Sequence, residues 1–156
     1  MPLDLKRLST LDRAIAGGAG VVFISGFLPW WGYSGPLSLY SASVSGWSAG
    51  FSAWAGVLLL TLAGVYLVLR RAEVSLPALP VGPAVLVAGV AALGLLLVVI
   101  RWLTLPSVSA GLAGSIGARY GIYIALVAGI VETVAAVIAF RASGEALPGT
   151  QRPASG

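Results

Sequence analysis

Glu132 is the one acidic residue inside a long apolar stretch, Tyr120–Phe140. A carboxyl group at such a depth offers two kinds of chemistry: it can carry a proton or an ion, or it can tie helices together as a neutral hydrogen-bonding acid. At 100° per residue it projects about 20° from Gly121 and Ala125, so it shares the face of small residues and points at another helix. Counting from the ends of the apolar stretches puts Ser25, Thr61 and Thr133 at similar depth, each with a hydroxyl able to donate to the carboxyl group. An ionised carboxylate there costs about 2.5–3.5 kcal/mol on insertion scales, which favours the neutral acid. No second acid accompanies it. The other acids, Asp4, Asp12, Glu73 and Glu145, lie outside the apolar stretches.

The remaining chemical inventory is narrow. The chain contains no His and no Cys, which excludes disulfides, thiolate and imidazole metal sites and haem ligation by His. No phosphate-binding glycine loop, nucleophile elbow or paired-carboxylate motif occurs. Enzyme activity is not expected, nor any cofactor or metal. The net charge is +4, yet the nine basic residues are scattered, so no footprint for nucleic acid exists.

These residues have to be positioned by the four uncharged apolar stretches Ala14–Trp31, Phe51–Leu69, Val81–Ile100 and Tyr120–Phe140. A bilayer core takes about 20 helical residues to cross. Hydrophobic residues make up 58% of the chain and charged residues 9%, against about 25% charged in a soluble domain. The expected fold is an all-α membrane protein: a four-helix transmembrane bundle over 1–141, with spans at about 12–31, 51–70, 81–103 and 119–141. A disordered cytoplasmic tail is expected over 142–156, which is rich in Pro and Gly.

Charge placement orients the bundle. Lys6, Arg7 and Arg13 precede the first span, Arg70 and Arg71 close the second, and Arg141 closes the fourth, while Trp31–Gly50 is uncharged. The positive-inside rule then places both termini in the cytoplasm, with Arg101 and Arg119 as the dissenters. All five Trp, at 30, 31, 47, 54 and 102, fall near the outer face, where amphipathic rings anchor at the headgroup level. Arg101 and Arg119 join that rim, snorkelling to headgroups or pairing with lipid phosphate.

Local signals support the element order. Ser9-Thr10-Leu11-Asp12 matches a capping box before the first span. Pro77, Pro80 and Pro83 stiffen the short inner turn and mark the start of span three. Within Gly32–Gly50, Leu39, Ala42 and Val44 interleave with Ser38, Ser41, Ser43 and Ser45, with Gly35-Pro36 able to turn the chain. That alternation predicts a small extracellular β-hairpin in loop one. Gly46-Trp47 is similar to part of the outer-loop signature of claudins, without its Leu or its paired Cys.

Small residues repeat at helical spacing: Gly117, Gly121, Ala125 and Gly129 on span four, Ala84, Ala88 and Ala92 on span three, and Gly17 within the opening of span one. In lipid, such residues let helix backbones approach one another. They serve contacts inside the bundle, or contacts with a second copy or another membrane protein.

The set Phe27-Leu28-Pro29-Trp30-Trp31, Ser45–Phe51, Leu76–Gly82 and Ser143-Gly144-Glu145 resembles a group of small four-span integral membrane proteins of actinobacterial type that carries no assigned activity. The resemblance implies this topology and a bacterial plasma-membrane location, and it implies no chemistry. The length, four helices, abundant Gly and late acid are also similar to V-type rotary ATPase proteolipids, in which Glu132 would match the proton-carrying Glu by position. The halves lack their repetition, loop one is long, and the Trp rim would crowd a ring. Small multidrug transporters carry their membrane Glu in the first helix.

Three functions are therefore expected, in this order. The first is a non-enzymatic structural or accessory subunit that packs through small-residue helix faces with itself or a membrane partner. The second is a proton- or ion-coupled channel or transporter using Glu132. The third is a binder of lipid or a hydrophobic small molecule.

Overall fold

A computed structural model describes residues 8–36, 41–77, 79–105, 108–109 and 114–144. Four helices and four short strands follow in the order α1 (Thr10–Ser25), β1 (Pro29–Ser34), β2 (Ser41–Ser45), α2 (Phe51–Arg71), α3 (Pro83–Thr104), β3 (Val108–Ser109), β4 (Ser115–Ala118) and α4 (Tyr120–Ser143). The helices α2, α3 and α4 are each long and apolar enough to cross a membrane. At 16 residues, α1 spans only about 24 Å at a rise of 1.5 Å per residue.

The short first helix corrects the expected boundary at residue 31. Ser25 is the last helical residue, and Gly26, Phe27 and Leu28 close a turn onto the final carbonyls. Leu28 precedes Pro29, and the residue before a proline is pushed out of the helical region. Pro29, Trp30 and Trp31 therefore begin a strand instead of ending a helix.

The other boundaries follow from familiar local chemistry. Ser9 and Asp12 form a reciprocal capping box at the start of α1. Pro83 occupies the first turn of α3, where its missing N–H costs nothing. Gly144 closes α4 with φ 73°, a left-handed cap that glycine adopts without strain. Helix α4 thus continues through Ala142 and Ser143, two residues past the expected domain limit. The remainder of the tail, together with Lys6, Arg7, Ser38 and Leu39, lies outside the described residues.

Each helix packs on two neighbours: α1 on α2 and α4, and α3 on α2 and α4, with only marginal contact between α2 and α4. Asp12, Arg70, Arg71, Pro83 and Ser143 line one cavity, so the start of α1, the end of α2, the start of α3 and the end of α4 share one pole. The helices alternate up and down around a common core of Ile15, Val22, Val57, Leu60, Ala91, Val98, Ile122 and Ala125.

The opposite pole is closed by a sheet of order β2-β1-β4-β3, antiparallel throughout. The expected hairpin is present as β1 and β2. The sheet goes further, because β1 also pairs with β4 from the connection between α3 and α4, aligning Trp31 with Ala118 and Ser34 with Ser115. Trp31, Val44 and Ala118 stand side by side and pack against the helix core. Alternation turns Gly32, Ser43 and Gly117 to the other face. The sheet is apolar below and lined by Ser and Gly above.

Candidate functional site

The interior polar site is built by α4 against α1. Glu132 is fully buried, and a β-carbon added at Gly18 would lie 2.9 Å from the Glu132 Cβ. Gly18 thus makes the room that a buried glutamate needs. Both carboxyl oxygens of Glu132 and the hydroxyl of Thr133 are buried without a hydrogen-bond partner among the described residues.

The expected hydroxyl donors do not converge on it. The Ser25 hydroxyl donates to the carbonyl of Val22 at 2.6 Å, and the Thr61 hydroxyl donates to the carbonyl of Val57 at 2.8 Å. Each spends its proton within its own helix, as a serine or threonine in an apolar environment does when the preceding turn is within reach. Thr133 follows Glu132 directly in sequence, and neighbouring residues on a helix do not face each other.

Five of the eight small residues expected to pack helices lie against other parts of the chain. At Gly129 a β-carbon would press on Leu60 and Leu95 at 3.2 Å, and at Gly121 it would meet the Pro29 carbonyl at 2.5 Å. Ala125 is fully buried and Ala88 nearly so, while Ala84 is half-buried at the cavity between the helix ends. Three expected packing residues fall elsewhere. Gly117 lies in β4, because the chain stays extended through Arg119 and the helix starts at Tyr120. Ala92 is exposed, since α3 turns Ala91 and Gly94 inward instead. Gly17 has open space where its β-carbon would be and lines a groove of about 630 Å³ between α1 and α4.

Contacts that sequence reasoning missed are the closest ones. Gly56 and Gly94 bring α2 and α3 together: a β-carbon on either would sit about 3 Å from the other's carbonyl oxygen. Gly64 receives the methyl group of Ala19 in the same way between α2 and α1. Gly56 and Gly64, eight residues apart and so about 80° apart around the helix, turn toward its two different neighbours, and that spacing was the available signal.

At the sheet pole the aromatic residues divide. Trp54 and Trp102 are exposed, the latter edge-on to Tyr123 at 6.4 Å. Trp31 and Trp47 are half-buried, and Trp47 packs edge-on against Phe23 at 5.8 Å. Trp30 departs from the expected lipid rim altogether. A register shift between Pro29 and Trp31 turns it inward, where it is fully buried and its indole N–H donates to the Ser25 carbonyl at 2.8 Å. The same carbonyl ends α1, so the indole caps the helix as well as filling the core.

Neither arginine at the sheet pole stands clear of the protein. Arg101 lies against Gly50, with its guanidinium carbon 3.4 Å from where a β-carbon would be, and its Nε is buried without a partner among the described residues. Arg119 crosses Gly32 on the upper face of the sheet and donates to the Ser34 hydroxyl, while its backbone N–H donates to the Trp30 carbonyl at 2.8 Å. Among the described residues no group of His, Cys, Asp and Glu could hold a metal ion. No protein-family model, curated protein sequence or solved structure matches this chain.

Proposed function

We propose that the protein is a four-span accessory protein of a bacterial plasma membrane, with both termini in the cytoplasm, that docks a partner through its outer sheet. The observation that carries this reading is the sheet's upper face. Ser41, Ser43 and Ser115 are exposed there around the Arg119 guanidinium, which covers Gly32 and donates to Ser34, so the face offers hydroxyls and one guanidinium to a docking partner. Gly121, Ala125, Gly129 and Ala88, by contrast, are filled from within the chain, and of the expected helix-packing residues only Gly17 and Ala92 face outward from a helix. Arginines at the opposite pole support the orientation, and the apolar Phe27 and Leu28 extend the first crossing beyond α1.

The test places Arg at Ser43 and Ser115, which changes the upper face alone. The expected result is normal membrane abundance with loss of the proteins that cross-link to the wild type in its native membrane. An unchanged cross-linking pattern would refute docking through the sheet.

A second reading, transport of protons or ions at Glu132, is favoured by its two buried and unpartnered carboxyl oxygens. Glu132→Gln keeps the shape and removes titration. Equal ion flux by wild type and variant in liposomes would end that reading.

A further inference from the structure

The pole opposite the sheet holds a cavity of about 290 Å³ between the ends of all four helices. Ile15, Val87 and Ala136 are buried at its floor, while Arg70 and Arg71 are exposed at its rim. Its charges do not cancel. Asp12 takes Arg71 in a two-point pair, Nε at 2.9 Å and Nη2 at 3.2 Å, and so neutralises one guanidinium. Arg70 has no side-chain partner among the described residues, leaving one uncompensated cation over an apolar floor.

An apolar groove lies beside that cavity. It measures about 380 Å³ and runs between α2 and α3, lined by Leu62, Leu69, Leu86 and Val90, and it shares Tyr66 and Val87 with the cavity. Leu62 and Val65 carry it to the outward face of the helices. A cavity near the low end of the ligand range of about 300–1,000 Å³ holds a headgroup and not a whole amphiphile. A charged compartment beside an apolar groove matches a molecule with an anionic head and a hydrocarbon tail, and basic pockets between membrane helices take up phosphate headgroups.

We propose that this adjacent pair of cavities binds one anionic phospholipid, its phosphate at Arg70 and one acyl chain in the groove between α2 and α3. The inference rests on the membrane reading above. It differs from adventitious annular lipid in requiring one cation and one groove.

The experiment uses the full-length protein in mild detergent, with phosphatidylglycerol and phosphatidylcholine of identical acyl chains added in turn and retention measured by native mass spectrometry. The expected result is a single retained phosphatidylglycerol, about fivefold favoured over phosphatidylcholine, the ratio that one arginine near a membrane surface supplies. R70Q abolishes the preference without changing the unfolding temperature. L62W, which fills the groove from its exposed side, lowers retention of both lipids. Glycerol 3-phosphate fails to displace the lipid, which separates a membrane source from a free phosphate ester. Equal retention of the two lipids, an unchanged preference in R70Q, unchanged retention in L62W, or displacement by glycerol 3-phosphate would each overturn the proposal. Detergent-phase partitioning separates the two failures. Protein that enters the detergent phase yet shows no preference defeats only this inference, whereas protein that stays in the aqueous phase defeats the membrane reading itself.

Discussion

Asp12 and Glu132 are both buried acids, 2% and 0% exposed, and they could hardly be treated more differently. Asp12 receives the Ser9 backbone N–H, holds both donors of Arg71 and sits in the first turn of α1, where the helix dipole favours a negative charge. Glu132 sits mid-helix, where every backbone N–H is already used by the helix, and meets the α1 backbone at Gly18 with no donor in reach. A helix end supplies hydrogen-bond donors at no cost, and a helix middle supplies none. The first acid is therefore explained by stability. The second has no stabilising role among the described residues.

That contrast predicts substitutions of opposite sign. Asp12→Ala should show the largest effect, a loss of up to about 3 kcal/mol, because it removes a helix cap and the partner of a half-exposed arginine. Reversible unfolding in bicelles measures it. Glu132→Met should instead raise stability, by about 1–3 kcal/mol, by replacing buried unpartnered polar atoms with an apolar chain of similar length. A loss in the same assay would show that the carboxyl group has a donor after all and would erase the contrast. Gly18→Ala should cost about 1–2 kcal/mol by pressing α1 off α4, and Glu132→Gly in the same chain, which removes the opposing β-carbon, should recover part of that cost in a double-mutant cycle. Thr133→Val should be the smallest, a gain of under about 1 kcal/mol in melting measurements, since the hydroxyl has no partner to lose.

The long apolar stretches made α2, α3 and α4 legible to within two residues, and Ser9 with Asp12 announced the start of α1. The end of α1 was harder. Hydropathy runs on without a break through Phe27, Leu28 and Trp30, and only the proline after Leu28 signals the change from helix to strand. The alternation of Ser with Ala42 and Val44 revealed β2, but β4 is only four residues long and its partner β1 is more than eighty residues distant in the chain. Nothing in so short a run says which strand it will join. The same limit hid the site at the opposite pole: Asp12, Tyr66, Arg70 and Val87 come from three helices, and their meeting is a fact of packing alone. Glu132 was conspicuous as a charge in an apolar run, yet its lack of donors could not be read, because Ser25 and Thr61 had two possible acceptors each.

The pairing of β1 with β4 sets an order of events during biogenesis. Residues 31–34 leave the first helix early in synthesis, but their central partner, residues 115–118, emerges only after the third helix has been made. The lid over the bundle therefore closes only after α3 has been made, and its closure requires the α1–α2 and α3–α4 connections to lie at the same pole.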